Sequence, residues 1–400
     1  MSDRALAVIG GGPAGLAAAE AAAREGVRVT LYDAKRSVGR KFLVAGKSGL
    51  NLTHGEPMAA FASRYEGTCE PSVSWRDLLE GTSPADLRAW ALGLGIETFQ
   101  ARTGRVYPTA MKAAPLLRRW IERLRSLGVT MVMNHRWTSI DGGAPWRLGF
   151  ENGENVEADA VVFALGGASW PQTGSDGSWF AQFQALGIPC HALLPANCGW
   201  ETAWPAPVLA AAEGLPIKNI EVAAAGRRVA GELLITRYGF EGGAIYQLGH
   251  ALRGMAEPAL VIDFKPTFTA DALMKKLGTA SGDLLPAAIR AWKLSPAAAA
   301  LLATAGCVDA ASLARAAKSH TVRLTGARPI AEAISSAGGL CWSALDPALM
   351  VRALPGCFVA GEMIDWEAPT GGYLMQGCFA TGRHAGRHAA RWLKGDATTR

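Results

Sequence analysis

The stretch that most constrains the fold runs from Ala5 to Asp33 and contains Gly10-x-Gly12-x-x-Gly15. With 47 glycines in 400 residues, about 0.6 matches to that spacing arise by chance, so the spacing alone decides nothing. The surroundings decide it. "RALAVI" reads as a short buried strand, and Pro13 stands where a first helical turn tolerates a missing N–H. "AGLAAAEAAAREG" is a strong helix former closed by Gly26, and "VRVTLYD" is a β-branched strand ending on Asp33. Strand, glycine turn, helix, strand and acid form the βαβ context that a dinucleotide fingerprint requires. Gly10 permits the tight turn, Gly12 lets the backbone approach a pyrophosphate, and Gly15 lets the helix pack close to the sheet. The helix start supplies free N–H groups and the positive end of a dipole. Asp33 can accept from both hydroxyls of a ribose and disfavours a 2′-phosphate, which points to NAD or FAD rather than NADP.

Two later stretches share the form of an apolar strand delivering glycines to its carboxyl end: "AVVFALGGASW" and "CFVAGEMID". Ligands of open parallel sheets sit outside the carboxyl ends of strands. Three such ends suit a long dinucleotide running across the sheet, with Asp33 at the adenosine end and Asp365 near the middle, and so favour FAD over NAD. Between them, residues 83–95 and 110–127 read as helices. In the second, Leu116, Leu117, Trp120, Ile121, Leu124 and Leu127 share one face. Arg118, Arg119, Glu122, Arg123 and Arg125 lie opposite and read as a solvated surface rather than an RNA-binding stripe. From Pro189 to Ile334 the texture changes to alternating antiparallel strands followed by mainly helical sequence over 270–318. The expected organisation is therefore one nucleotide domain, residues 1–188 and 335–400, interrupted by an inserted domain, 189–334.

Composition narrows the class. Half the residues are hydrophobic and 18% are charged, as in a globular protein. The net charge of +6 suits an anionic cofactor or substrate. It would also suit RNA, but no long Lys/Arg run appears, so nucleic acid is not an expected partner. Seven scattered cysteines form no C-x-x-C pair, so neither a disulfide framework nor a structural zinc site is expected, and the metal expectation is none. The N-terminal residues lack the features of a signal peptide, and the apolar run Leu16–Ala23 is too short to span a bilayer. A soluble cytoplasmic protein with no membrane partner is the expectation.

"GGGPAG…YDA", "ADAVVFALGG" and "FVAGEMID" resemble the pattern of glutathione-reductase-like and fumarate-reductase-like flavoproteins. More specifically, "VGRKFLVAGKSGLNLTH", "TGRVYPTAMKAAPLL", "ALGGASWPQTGSDG", "RPIAEAISSAGG" and "AGEMIDWEAPTGGYLMQGCFATGRHAG" are similar to the YhiN/BaiN-like family of FAD-dependent oxidoreductases, best to one bacterial flavoprotein branch of it. The resemblance covers nearly the whole chain. It implies an α/β fold: a Rossmann-type, glutathione-reductase-like domain binding FAD non-covalently, with an inserted β-barrel plus helical domain. By that resemblance Gly10, Gly12, Pro13, Ala14 and Gly15 line the pyrophosphate, and Asp33 and Lys35 the adenosine side. Arg40 and Lys41 lie beside the phosphates or ribityl chain. Ala164 and Gly166 approach from the second strand, and Gly361 and Asp365 from the third. Gly372, Tyr373, Leu374 and Met375 bring backbone N–H groups to the flavin pyrimidine edge, where a helix start stabilises the negative charge of reduced flavin. The sequence departs from the broader family where an Arg-Cys pair is expected before Asn51. Here it reads Gly46-Lys47-Ser48-Gly49-Leu50, so chemistry belonging to that pair does not carry over.

The implied activity is hydride exchange at flavin N5 with an unidentified small molecule, anionic or cyclic, while catalytic residues stay unassigned. A flavoprotein of RNA modification and a non-catalytic flavin-binding protein are the alternatives. His54, Tyr107, Lys112 and Tyr373 are the polar candidates to hold or protonate a substrate, and a structural role is the plainer reading of each. Cys378 has no second cysteine placed to form a redox pair and reads as a small buried residue. His384 and His388, four apart on a helix without an H-E-x-x-H glutamate, read as surface residues rather than metal ligands. No second glycine fingerprint opens a βαβ unit: Gly93-x-Gly95 fails at Thr98. NAD(P)H is therefore expected only as a transient visitor.

Overall fold

The computed structural model describes residues 4–46, 49–278 and 283–395, so Lys47 and Ser48 of the departing stretch lie outside the described residues. The chain divides into two compact units, one comprising the residues up to Leu194 together with those from Ser335 onward, the other Pro195–Ile334.

The first unit is built on a five-stranded parallel sheet. Its order is Cys357–Val359, Ala160–Phe163, Ala5–Ile9, Arg28–Asp33, Thr130–Met133. Ala5–Ile9 (β1) sits at its centre, four of its five residues buried, which is why it reads as a continuous apolar run rather than an alternating one. Pro13–Arg24 (α1) crosses to Arg28–Asp33 (β2). The alanines of α1 reflect what lies against it: Ala14 to Ala22 are all buried, and the last helix, Tyr373–Lys394, packs closely on it. A Cβ on Gly382 would come within 2.3 Å of the Ala14 carbonyl oxygen, and one on Gly386 within 2.3 Å of that of Ala18. Small residues on both helices allow that contact.

The amphipathic helix forms over Ala113–Ser126 and buries Leu116, Leu117, Trp120 and Leu124. Arg118, Arg119 and Arg125 are exposed. Arg123 departs from the solvated face expected of it: it turns back to donate to the Gly93 carbonyl and lies 3.5 Å from Glu20 on α1. Glu20 itself is a buried acid, satisfied by the indole N–H groups of Trp90 and Trp120 at 3.0 and 2.8 Å and by Arg24. Burial pushes its carboxyl up, but these donors and the arginine charges outweigh it and hold the group below the usual range.

The second unit has its own core and a seven-stranded sheet whose strands pair antiparallel among the described residues. Its two ends are His320–Arg323 and Gly326–Ala327, separated by Leu324 and Thr325 alone. One bent segment, residues 320–327, therefore supplies the strands at both ends of the sheet. Four helices among the described residues between Ala270 and Lys318 account for the helical sequence there. Among the described residues no helix is long and apolar enough to cross a membrane.

Candidate dinucleotide cleft

The three glycines of the fingerprint do three separate things. Gly10 has φ of +107°, and a Cβ there would lie 2.3 Å from the Ala164 carbonyl oxygen, so it is fixed by both conformation and contact. A Cβ on Gly15 would lie 1.8 Å from the Gly10 carbonyl oxygen, so Gly15 is the seat on which the turn meets the helix. Gly12 is different: φ is −76°, ψ is −179°, and nothing lies within 4 Å of an added Cβ. Its backbone borders open space that a side chain would fill.

That space is a cleft at the carboxyl ends of the parallel strands. Of the residues expected around a cofactor, it gathers Gly10, Gly12, Pro13, Ala14, Asp33, Arg40, Lys41, Ala164, Gly166 and Gly361. Asp33 ends β2 with both carboxylate oxygens engaged, Oδ2 accepting from the Gly11 N–H and Oδ1 from the Lys35 N–H, each at 2.7 Å. Burial pushes its carboxyl up in spite of those donors, and each oxygen keeps a lone pair for a further donor. Arg40 opens the short helix Arg40–Ala45, and its Nε is buried without a hydrogen-bond partner while Nη1 reaches Ser37 at 3.5 Å. An unpaired guanidinium N–H beside the free N–H groups of α1 fits an anionic ligand. Lys41 donates to Ser169 Oγ at 2.6 Å and to Glu362 Oε2 at 2.8 Å.

The other expected residues lie elsewhere. Gly15 is behind the turn. Lys35 lies along Gly174, where a Cβ would meet its Cγ at 3.3 Å. Asp365 is buried and turned away from the cleft lining, accepting from the Thr68 N–H at 3.0 Å and its hydroxyl at 3.2 Å. Gly372, Tyr373, Leu374 and Met375 form the start of the last helix. Gly372 (φ +103°) presses against the Thr53 backbone. The Tyr373 hydroxyl donates to Glu56 at 2.7 Å, and its phenol is pushed up by burial and that carboxylate. Glu56 is held low by its ion pair with Arg64. His54 stacks on Tyr373 at 5.2 Å between ring centres, with Nε2 against the Thr103 carbonyl and Nδ1 receiving the Glu56 N–H. Both of its nitrogens are used by the fold. Tyr107 stacks on Phe99, and Lys112 is an exposed residue preceding the long amphipathic helix. Cys378 lines the cleft, its thiol pushed up to about 12 by burial. His384 and His388 correct the surface reading: both are half-buried, their rings 4.3 Å apart, with His384 Nε2 on the Pro347 carbonyl.

The cleft also uses residues that motif reading passed over. Glu362 directly follows Gly361, and an acid at that strand end was a usable signal. His135, Arg136 and Trp137 follow the edge strand, and Thr173 to Asp176 line the cleft with them. Arg136 pairs with Asp176 at 2.7 Å, which lowers the Asp176 carboxyl although burial raises it.

A parallel sheet carrying this cleft at its strand ends defines a Rossmann-type nucleotide-binding protein. Comparison with known proteins narrows it: the chain belongs to the HI0933-like Rossmann domain family, whose model matches residues 4–388. It is 29% identical over 411 residues to the 3-dehydro-bile acid delta(4,6)-reductase of Clostridium scindens, with 96% of this chain and 98% of that protein covered. Among solved structures it is similar to the 3-ketosteroid-delta4-(5alpha)-dehydrogenase of Rhodococcus jostii RHA1, with TM-score 0.51, 17% identity and 98% of each chain covered. The 3-ketosteroid delta1-dehydrogenase of Sterolibacterium denitrificans gives TM-score 0.50 at 13% identity, covering 97% and 99%. These two likenesses are of fold. Family and fold together make the chain an oxidoreductase of the Rossmann flavoprotein class.

Proposed function

We propose that the chain holds FAD non-covalently in this cleft and reduces a small cyclic ketone whose ring double bond is conjugated to the carbonyl. The observation that carries the cofactor is the glycine turn: Gly10 and Gly15 are closed by contact, whereas Gly12 faces open space, in a cleft also lined by Arg40, whose Nε has no partner. FAD, when bound, supplies hydride exchange at flavin N5. The residues do the holding. The α1 N–H groups and Arg40 neutralise the pyrophosphate, and Asp33 accepts from the ribose. Lys41 and Glu362 face the middle of the cofactor, with Glu362 taking the place that the sequence reading gave to Asp365. The 22-residue helix that begins at Tyr373 would add the positive end of its dipole to the stabilisation of reduced flavin.

The substrate class rests on the Clostridium scindens relative, and the net charge of +6 favours an acidic side chain on the substrate. NAD(P)H is a transient donor in this reading. The test is anaerobic: the purified protein is reduced photochemically, mixed with a panel of cyclic enones including 3-oxo bile acids, and followed by flavin absorbance. Stoichiometric reoxidation, with a product two hydrogens heavier, is expected from at least one enone. Reoxidation by dioxygen alone across the panel would overturn the substrate class.

A further inference from the structure

We propose that Cys69, His191 and Asp365 form a binding site for a single divalent cation of the zinc type. Cys69 lies in the loop before the helix Trp75–Leu79, His191 in the strand Cys190–Ala196, and Asp365 just after the turn Gly361–Met363. The separations of 122 and 296 residues from Cys69 put the cluster beyond any spacing motif. All three belong to the first unit.

The geometry is that of ligands around one point. Cys69 Sγ lies 3.5 Å from His191 Nε2 and 3.9 Å from Asp365 Oδ2, and the same Nε2 lies 3.8 Å from the same Oδ2. A triangle with those sides has a circumradius of about 2.2 Å, so one point in its plane stands that far from all three atoms. Zinc takes thiolate sulfur at about 2.3 Å, imidazole nitrogen at about 2.0–2.1 Å and carboxylate oxygen at about 2.0–2.2 Å. The match is within the tolerance that separates a usable site from a coincidental cluster.

The same distances argue against a proton relay. In a thiol–imidazole–carboxylate relay the two ring nitrogens face different partners, one the thiol and the other the carboxylate. Here a single nitrogen faces both. The contact between nitrogen and oxygen is also too long for a hydrogen bond. The Cys69 thiol makes only long sulfur hydrogen bonds, to His191 and to Asp365, and the imidazole and carboxylate do not reach each other, whereas one cation would engage all three atoms directly.

The surroundings fit a held ligand set. Thr68 donates to both Asp365 oxygens, the Trp342 indole N–H donates to the Asp365 carbonyl at 2.7 Å, and the Asp365 N–H donates to the Leu340 carbonyl. The carboxylate is thus fixed from behind, as outer partners of metal ligands are. Asp365 has 2% of its side chain exposed and His191 37%, while Cys69 is exposed. A cation bound there is reached from solvent and keeps a fourth position for water, the open tetrahedral arrangement.

The experiment uses the full chain with its flavin, stripped of adventitious metal and titrated with Zn2+ against a chromophoric chelator. Wild-type protein should bind one equivalent. Cys69→Ser and His191→Gln, both at sites open to solvent, should each weaken binding, and the double variant by at least about a hundredfold. Cys307→Ser, in the other unit, should bind as wild type does. Co2+ in place of zinc should give visible d–d bands, to the red of the flavin, that the double variant lacks. Flavin content, measured alongside, is expected to be the same in all variants, so loss of the metal site and failure of the cofactor assignment read out separately. Absence of stoichiometric zinc in wild type, or wild-type affinity in the double variant, would overturn the proposal.

Discussion

Lys41 and Glu362, 321 residues apart in sequence, meet on the wall of the cleft with Nζ 2.8 Å from Oε2. Their side chains are 23% and 11% exposed, so the pair is largely enclosed. It ties the short helix after β2 to the turn after the last parallel strand, the two segments proposed above to face the middle of a bound dinucleotide. Lys41→Met removes the cation that pairs with the Glu362 carboxylate on the cleft wall. The expected result is a flavin dissociation constant raised about tenfold to a hundredfold, with little change in melting temperature. Fluorescence of released flavin on dilution measures it.

The fingerprint glycines should separate into two phenotypes. Gly12→Val puts a side chain into open space with an ordinary backbone conformation, so the protein should fold at nearly wild-type stability and retain no flavin. Gly15→Ala drives a methyl into the Gly10 carbonyl and should lower stability by several kcal/mol, the scale of overpacking against backbone. Melting curves and flavin content of the two variants distinguish these outcomes. A Gly12 variant that kept its flavin would remove the cradle.

Glu20 is a second sharp position. Its carboxylate serves Trp90, Trp120, Arg24 and Arg123 from within the helix that carries the fingerprint. Glu20→Ala strands two buried indole N–H groups and should cost about 3–5 kcal/mol, read from denaturant unfolding. Its folded pKa is depressed, so its contribution is present above the unfolded carboxylate range and is lost as pH falls through the folded value.

His388 gives the pH dependence nearer neutrality. Burial, then the neighbouring His384, depresses it from 6.5 to about 4. A histidine held neutral in the folded state contributes stability above pH 6.5 that is lost as pH falls from 6.5 towards 4. His388→Asn should therefore flatten the melting-temperature profile over that window. An unchanged acid limb would assign the loss to other groups.

The parallel sheet was legible because each of its features is local: β1 and the glycine turn signal themselves within thirty residues. The inserted region read correctly as antiparallel strands followed by helices for the same reason. Position within the cleft was less legible. Glu362 and Asp365 are three residues apart on one turn, and only the path of that turn shows that Glu362 meets Lys41 while Asp365 faces Thr68. Arg123 reads as solvent-facing from helical period alone, because the period carries no information about the acid on α1 that it reaches. His384 and His388 read as exposed because the packing that half-buries them comes partly from Pro347, on a distant segment. Cys69 and His191 carried no signal at all, since nothing near either in sequence marks the other.

The most direct measurement is the identity and amount of the nucleotide released when the purified protein is denatured. Chromatography with mass detection should find FAD, close to one per chain, with its absorbance spectrum altered before denaturation by the protein around it. A chain that releases FMN or NAD in place of FAD, or that neither retains flavin nor takes up added FAD, would contradict the assignment of the Gly10–Gly12–Gly15 cleft.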